Sequence, residues 1–146
     1  MKLNLGCGRD VREGYVNADL IQLVPGIVEM DINLRWPWED STFDSIFAYH
    51  VLEHGLDKIH IMRELWRVGA HGCVIHAIVP HPENPFFWAD PTHRLCWHLQ
   101  NFGHFTETNA NWNFYEKMRF EIIKQEITCF EDGKPQNIIW RVKVAK

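Results

Sequence analysis

The amino-acid sequence predicts an α/β fold: a mostly parallel β-sheet with few helices, finished by an antiparallel hairpin. Three observations carry this reading. A short apolar run, "KLNLG", passes straight into glycines. Three further strand-like runs precede a single amphipathic helical segment, and a fifth follows it. Two long alternating runs near residue 146 are joined by an Asp-Gly turn signal.

Taken in order, "KLNLG" is the first strand, and its glycines bring backbone N–H groups close to anything bound beyond it. "YVNADL" is the second strand, ending near Asp19, and "GIVEMDI" the third, ending near Asp31. "FDSIFAYH" is mostly apolar, as a strand buried on both faces of a parallel sheet should be. In "LDKIHIMRELWRV", Leu56, Ile59, Met62, Leu65 and Trp66 recur at helical spacing, with Lys58, Arg63, Glu64 and Arg67 mostly on other faces. "GAHG" stops this helix and "CVIHAIVP" is the fifth strand. Residues 80 to 105 lack periodicity and form a connection longer than packing requires, the usual form of a lid or binding loop. A weak helix is expected over Thr106 to Met118, then strands "RFEIIKQEITCF" and "QNIIWRVKVAK" around "EDGKP".

At 146 residues, with no repeat, low-complexity tract or linker, the expectation is one domain over 1–146. Hydrophobic residues at 46% and charged residues at 23% suit a soluble globular protein. A formal net charge of -4 without a basic block argues against gripping a nucleic-acid backbone. No apolar run is long enough to cross a membrane as a helix and the start lacks a secretory pattern, so the expected compartment is the cytoplasm. The four cysteines form no C-x-x-C pair and read as buried small hydrophobes.

Gly6 and Gly8, directly after a strand, let the backbone pass against a bulky ligand where a β-carbon would collide. Asp19, at the end of the next strand, can accept hydrogen bonds from both hydroxyls of a ribose. Taken alone, "GCG" is more simply a tight turn, and each of Asp19 and Asp31 more often a turn residue or helix cap; together the three reverse that weighing. "HVLEH", residues 50–54, has the H-x-x-E-H order of an inverted zinc-protease motif. That motif needs a helix through both histidines, whereas Gly55 follows at once and a strand-like run precedes, so the expectation is a capped turn without a metal. His81, Asp90, His93, Cys96 and His98 offer metal-ligand types but no recognised ligand spacing. The aromatics from Phe86 to Tyr115 can stack on a substrate or pack as core, and the sequence does not separate the two.

Four ordered blocks carry a family resemblance: "LNLGCGRDVREGYVNADL", "MDINLRWPWEDSTFDSIFAYHVLEH", "MRELWRVGAHGCVIHAIVPH" and "DPTHR". Together, over roughly residues 1 to 94, they resemble the successive motifs of class I S-adenosylmethionine-dependent methyltransferases, particularly the small methyltransferase-11-like group. The resemblance implies a Rossmann-like sheet of reduced helix content and S-adenosyl-L-methionine as cofactor. It places Asn4, Gly6, Cys7, Gly8, Asp19, Leu20, Asp31, Ile32 and His50 at the cofactor, with Asp31 toward the adenine amino group and Leu34 and Trp36 as further apolar wall. The loop after the fifth strand becomes the substrate rim, where Asp90, His93 and His81 are candidates to deprotonate or orient an acceptor.

The chain departs from the family pattern at two points. Asn4 stands where an acidic residue commonly precedes the glycines, and Asp10 occupies the third glycine position. The segments between Gly8 and Asp19, and between Asp19 and Asp31, are too short for full crossover helices. One sheet face is therefore expected to be bare and covered by a second copy or a partner protein. The implied function is methyl transfer to a small or sugar-like molecule, at oxygen or nitrogen. Two other readings stay open: a noncatalytic cofactor-binding subunit that activates a partner, and a histidine-rich metal hydrolase.

Overall fold

The computed structural model describes residues 1–109 and 116–146. Seven strands form one sheet in the order β3-β2-β1-β4-β5-β7-β6. They are β1 (Lys2–Leu5), β2 (Val16–Asp19), β3 (Val28–Glu29), β4 (Phe43–Tyr49), β5 (Gly69–Pro80), β6 (Arg119–Cys129) and β7 (Pro135–Ala145). The first five pair in parallel, while β7 runs antiparallel between β5 and β6. The expected architecture is therefore present. Two strand boundaries differ from the expectation. β3 is only two residues long and Asp31 lies beyond it. β5 begins at Gly69, directly after the helix, because Gly72 takes a left-handed conformation (φ +82) that lets "GAHG" join the strand.

The hairpin turn forms where "EDGKP" predicts it: Gly133 has φ +82, and the Phe130 N–H donates to the Lys134 carbonyl at 2.9 Å. Within residues 106–118, the described positions 106–109 are turn and 116–118 have no regular structure, so the expected helix is absent from them. The rest of that segment, including Trp112, Phe114 and Tyr115, lies outside the described residues.

Helix α1 (Lys58–Val68) starts because the Asp57 side chain accepts the N–H groups of Ile59 and His60, a cap contributing about 1 kcal/mol. Its inner face buries Ile61, Met62, Leu65 and Val68, each contributing about 1.5–3 kcal/mol. Glu64 and Arg67, expected away from that face, are buried with it. Arg67 makes a two-pronged pair with Glu64 (Nε–Oε1 2.8 Å, Nη2–Oε2 2.7 Å) and also donates to the carbonyls of Trp36 and Trp38. Glu64 Oε2 accepts the Trp36 N–H at 2.8 Å. This pair pins the segment that leads from β3 into β4, where no helix exists to anchor it. Burial works against the Glu64 carboxylate, yet the bonds from Arg67 and the Trp36 N–H outweigh it and hold its pKa below the ordinary carboxylate range.

The two sheet faces differ. Ile138, Trp140, Val142 and Val144 of β7 alternate inward and are buried. The loop after β5 covers them: Trp97 and Phe102 pack against Trp140, Phe120 of β6 meets Phe102 edge-on, and the Trp140 indole N–H donates to the Leu99 carbonyl at 2.8 Å. Aromatic packing on this loop thus replaces a crossover helix. On the opposite face, register aligns Tyr49 with Ile78 and Ile78 with Ile139, and Phe47 with His76 and His76 with Arg141. Among the described residues no helix covers that face. Arg12 and Tyr15, from the β1–β2 connection, lie against Phe47, with Arg12 also over Tyr49. No helix among the described residues is long and apolar enough to cross a membrane.

Candidate functional site

Strand order reverses between β1 and β4, and ligands in open α/β sheets bind at the carboxyl ends of strands where this occurs. A cleft of about 550 Å³ opens there, within the range of small-molecule sites. Its floor is the end of β1. Gly6 has φ +66, and a Cβ placed on it would lie 2.3 Å from Val51 Cβ, so only glycine fits. Gly8 has φ +52 with open space around its Cα.

Asp19 closes β2 on the cleft. Its Oδ2 accepts the Gly8 N–H and its Oδ1 the Leu20 N–H, both at 2.7 Å. Each oxygen keeps a lone pair for a ligand hydroxyl. Across the cleft, Asp31 Oδ1 accepts both the backbone and side-chain N–H of Asn33, and Asn33 Oδ1 accepts the Leu56 N–H. The walls beside Asp31 are Ile32 and Met30.

"HVLEH" forms the opposite rim and is not a helix through both histidines. The His50 N–H bonds the Ile78 carbonyl, its backbone turns left-handed (φ +51), and a single 3₁₀ turn follows over Leu52–His54. The turn places Val51 against Gly6 and both His50 and His54 on the cleft. Glu53 points inward, 1% exposed, and neither carboxylate oxygen has a hydrogen-bond partner. Its backbone carbonyl accepts the N–H groups of Arg94 and Leu95, which pulls "DPTHR" onto the rim. There His93 Nε2 lies 4.0 Å from Glu53 Oε1 and 3.7 Å from Asp90 Oδ2. The Thr92 hydroxyl and N–H both donate to Asp90, holding its carboxyl below the usual range.

Of the residues expected at the cofactor, Gly6, Gly8, Asp19, Leu20, Asp31, Ile32 and His50 line the cleft, and Asn4 and Cys7 do not. Asn4 is buried beneath the glycine loop, where its amide donates to the Asp10 carbonyl and to Asn17 Oδ1. It braces the loop from behind because its side chain points to the sheet face opposite the cleft floor. Cys7 is also buried, and burial followed by the nearby Asp19 charge pushes its thiol pKa up. Leu34 is exposed and Trp36 is core, so neither is a wall of the cleft. His81 is a turn residue: its Nδ1 accepts the Glu83 N–H, and it does not reach the cleft. Leu5, Met30, Asn33, Val51, His54, Thr92 and Arg94 line the cleft without having been singled out for it. All seven fall inside the blocks that carry the resemblance, and that membership was the available signal. The loop aromatics divide: Phe87, Trp97, Phe102 and Phe105 are core, while Phe86 and Trp88 are exposed.

The family model described as "Methyltransferase domain" matches residues 7–76. No curated protein matches the chain by sequence. Among solved structures, a SAM-dependent methyltransferase from Archaeoglobus fulgidus superposes with a TM-score of 0.64 at 16% identity, covering 97% of this chain and 85% of that one. A chain from the complex between the Haloferax volcanii Trm112 methyltransferase activator and its methyltransferase gives 0.65 at 13%, covering 99% and 82%. The cyclase SpnF gives 0.65 at 14%, covering 99% and 75%. At these identities the structures speak to the fold, and the family model adds the class of chemistry. Together they give the chain a class I S-adenosylmethionine-dependent methyltransferase fold, of the methyltransferase-11-like kind.

Proposed function

We propose that the cleft binds S-adenosylmethionine and that the chain transfers its methyl group to an oxygen or nitrogen of a small or sugar-like molecule. The observation that carries the reading is the Asp19 carboxylate, fixed by the Gly8 and Leu20 N–H groups beside a floor that only glycine can form. In this reading Asp19 takes the ribose hydroxyls, Asp31 the adenine amino group, and Ile32 and Met30 the adenine face. The bound cofactor supplies an electrophilic methyl group, so the protein's work is alignment and removal of the acceptor's proton. That work falls to the rim around Asp90 and His93. The net charge of -4 favours a small acceptor over a polyanion. Calorimetric titration with S-adenosylhomocysteine is expected to show micromolar binding at one site. A folded protein that gives no heat would sink the reading.

Asp90→Asn and His93→Ala are expected to lower kcat by about 10²–10⁴-fold while leaving S-adenosylhomocysteine affinity unchanged. Full turnover by either variant would remove that residue from proton transfer.

A second copy of the chain is proposed to cover the bare sheet face. Tyr49, Ile78 and Ile139 give that face an apolar centre, and Lys124 and Glu126 of β6 give it a paired charged edge. Sedimentation equilibrium is expected to report a dimer that Ile139→Asp dissociates; a wild-type monomer at tens of micromolar would refute the interface. A cytoplasmic site of action accords with four cysteines left as free thiols, and cell fractionation tests it.

A further inference from the structure

We infer that Glu53, His54 and His93 form a binding site for a divalent transition-metal ion at the rim of the cleft. One ligand atom from each lies within 4.8 Å of the other two. An ion with bonds of about 2.0–2.2 Å in tetrahedral geometry holds its ligands about 3.4 Å apart, so the three need only modest side-chain rotation to close on it.

The hydrogen bonds around the cluster argue for a cation more strongly than the spacing does. His93 Nδ1 lies 2.8 Å from the Phe87 carbonyl, which only accepts, so Nδ1 carries a proton and Nε2 is the nitrogen left to ligate in the neutral ring. His54 Nδ1 lies 2.9 Å from the Thr92 hydroxyl. That hydroxyl gives its own proton to Asp90 Oδ1 at 2.6 Å. It must therefore accept from His54, and the His54 proton too sits on Nδ1. A backbone carbonyl or a hydroxyl thus takes the Nδ1 proton of each ring and turns Nε2 toward the cluster, the outer-shell arrangement that orients histidine ligands in metal sites.

Glu53 adds a buried carboxylate with no hydrogen-bond donor on either oxygen. Its ion-pair contacts among the described residues are with imidazoles alone, His93 and His50. The buried Glu53 carboxylate, facing two half-buried imidazoles and no hydrogen-bond donor, is costly unless a positive charge joins it. Two imidazoles and one carboxylate are a ligand set suited to zinc or ferrous iron, and three protein ligands leave a position open. Asp90 Oδ2, 3.7 Å from His93 Nε2, stands beside the cluster, where it can take a proton from a group at the open position.

This site differs from the H-x-x-E-H helix that the sequence of residues 50–54 suggests. It takes Glu53 and His54 from the 3₁₀ turn and its second histidine from "DPTHR". An acceptor hydroxyl at the open position would lose its proton to solvent or to Asp90 more readily. That role rests on the methyl-transfer reading, whereas ion binding itself does not.

The test is titration of the chelator-treated full chain with Zn²⁺ by calorimetry and with Co²⁺ by visible absorption. One equivalent is expected to bind, with Co²⁺ showing the d–d bands of a low-coordinate site. His54→Asn and His93→Asn should each weaken Zn²⁺ binding at least about tenfold, and Thr92→Val by about 10–100-fold through loss of the outer-shell bond. His98→Asn, a histidine outside the cluster, should leave it unchanged. Circular dichroism on each variant separates lost ligation from lost folding. Failure of wild-type protein to bind one equivalent, or binding that persists in both His54→Asn and His93→Asn, overturns the inference. S-adenosylhomocysteine titration of the same samples keeps the two proposals apart: cofactor binding without metal binding defeats this one alone, and metal binding without cofactor binding defeats the other.

Discussion

Asp19→Ala is expected to weaken S-adenosylhomocysteine binding by roughly 10²–10⁴-fold, from two charge-assisted hydrogen bonds of about 1.5–3 kcal/mol each. The loss has a second source within the protein. Asp19 also accepts the Gly8 and Leu20 N–H groups, so alanine frees the glycine loop that forms the cleft floor. Asp19→Asn separates the two contributions. Its single carbonyl oxygen can hold one of those N–H groups, while its NH₂ faces the other as donor against donor, so affinity should fall between wild type and alanine. Calorimetry measures the affinities, and unchanged circular dichroism would place the effect in the site. Undiminished binding by Asp19→Ala would move the ribose elsewhere in the cleft.

Arg67→Met is expected to cost about 3–5 kcal/mol of stability, because it strands the buried Glu64 carboxylate and frees the Trp36 and Trp38 carbonyls. Urea denaturation reads this as a lower midpoint. Adding Glu64→Gln should restore part of the loss, since a buried charge without a partner is the larger share of the penalty. The same pair sets an acid limit. The folded pKa of Glu64 lies below its unfolded value, so its contribution is fully present above the unfolded pKa, about 4.3, and is lost as pH falls through the lower folded value. Wild-type stability should thus decline below about pH 4, with a shallower slope in Glu64→Gln. Parallel slopes would assign the acid sensitivity to other carboxylates.

What the sequence made legible was local. Strand runs, the Asp-Gly hairpin and the helical spacing of α1 are decided by neighbours a few residues apart, and all three stand in the structure. Asp19 was readable because a carboxylate at a strand end after two glycines has few cheaper explanations once Asp31 repeats the pattern. Glu64 and Arg67 were misplaced because polar residues on a helix read as solvent-facing, and their partners at Trp36 and Trp38 lie on a segment distant in sequence. Asn4 was assigned to the cleft by its place in the glycine block, although a side chain at that strand position faces away from the floor. The aromatics between Phe86 and Phe105 were undecided because core and stacking platforms have the same composition. Glu53, His54 and His93 could not be grouped at all, since the carbonyl of Glu53 that joins their two segments is invisible in a side-chain pattern.

The position of β7 bears on how the chain reaches this fold. β6 is made before β7 but pairs with the sheet only through it. Until β7 inserts, β5 has an unpaired edge, and Trp97 and Phe102 lack the Trp140 ring against which they pack. The nascent chain therefore carries an open strand edge beside exposed aromatics from the completion of β5 until β7 is made. Closing that edge joins residues far apart in sequence, a step that is slow and exposed to aggregation. The hairpin acts as a bolt: the parallel half of the sheet and its aromatic loop become one cooperative unit only when β7 slides between them.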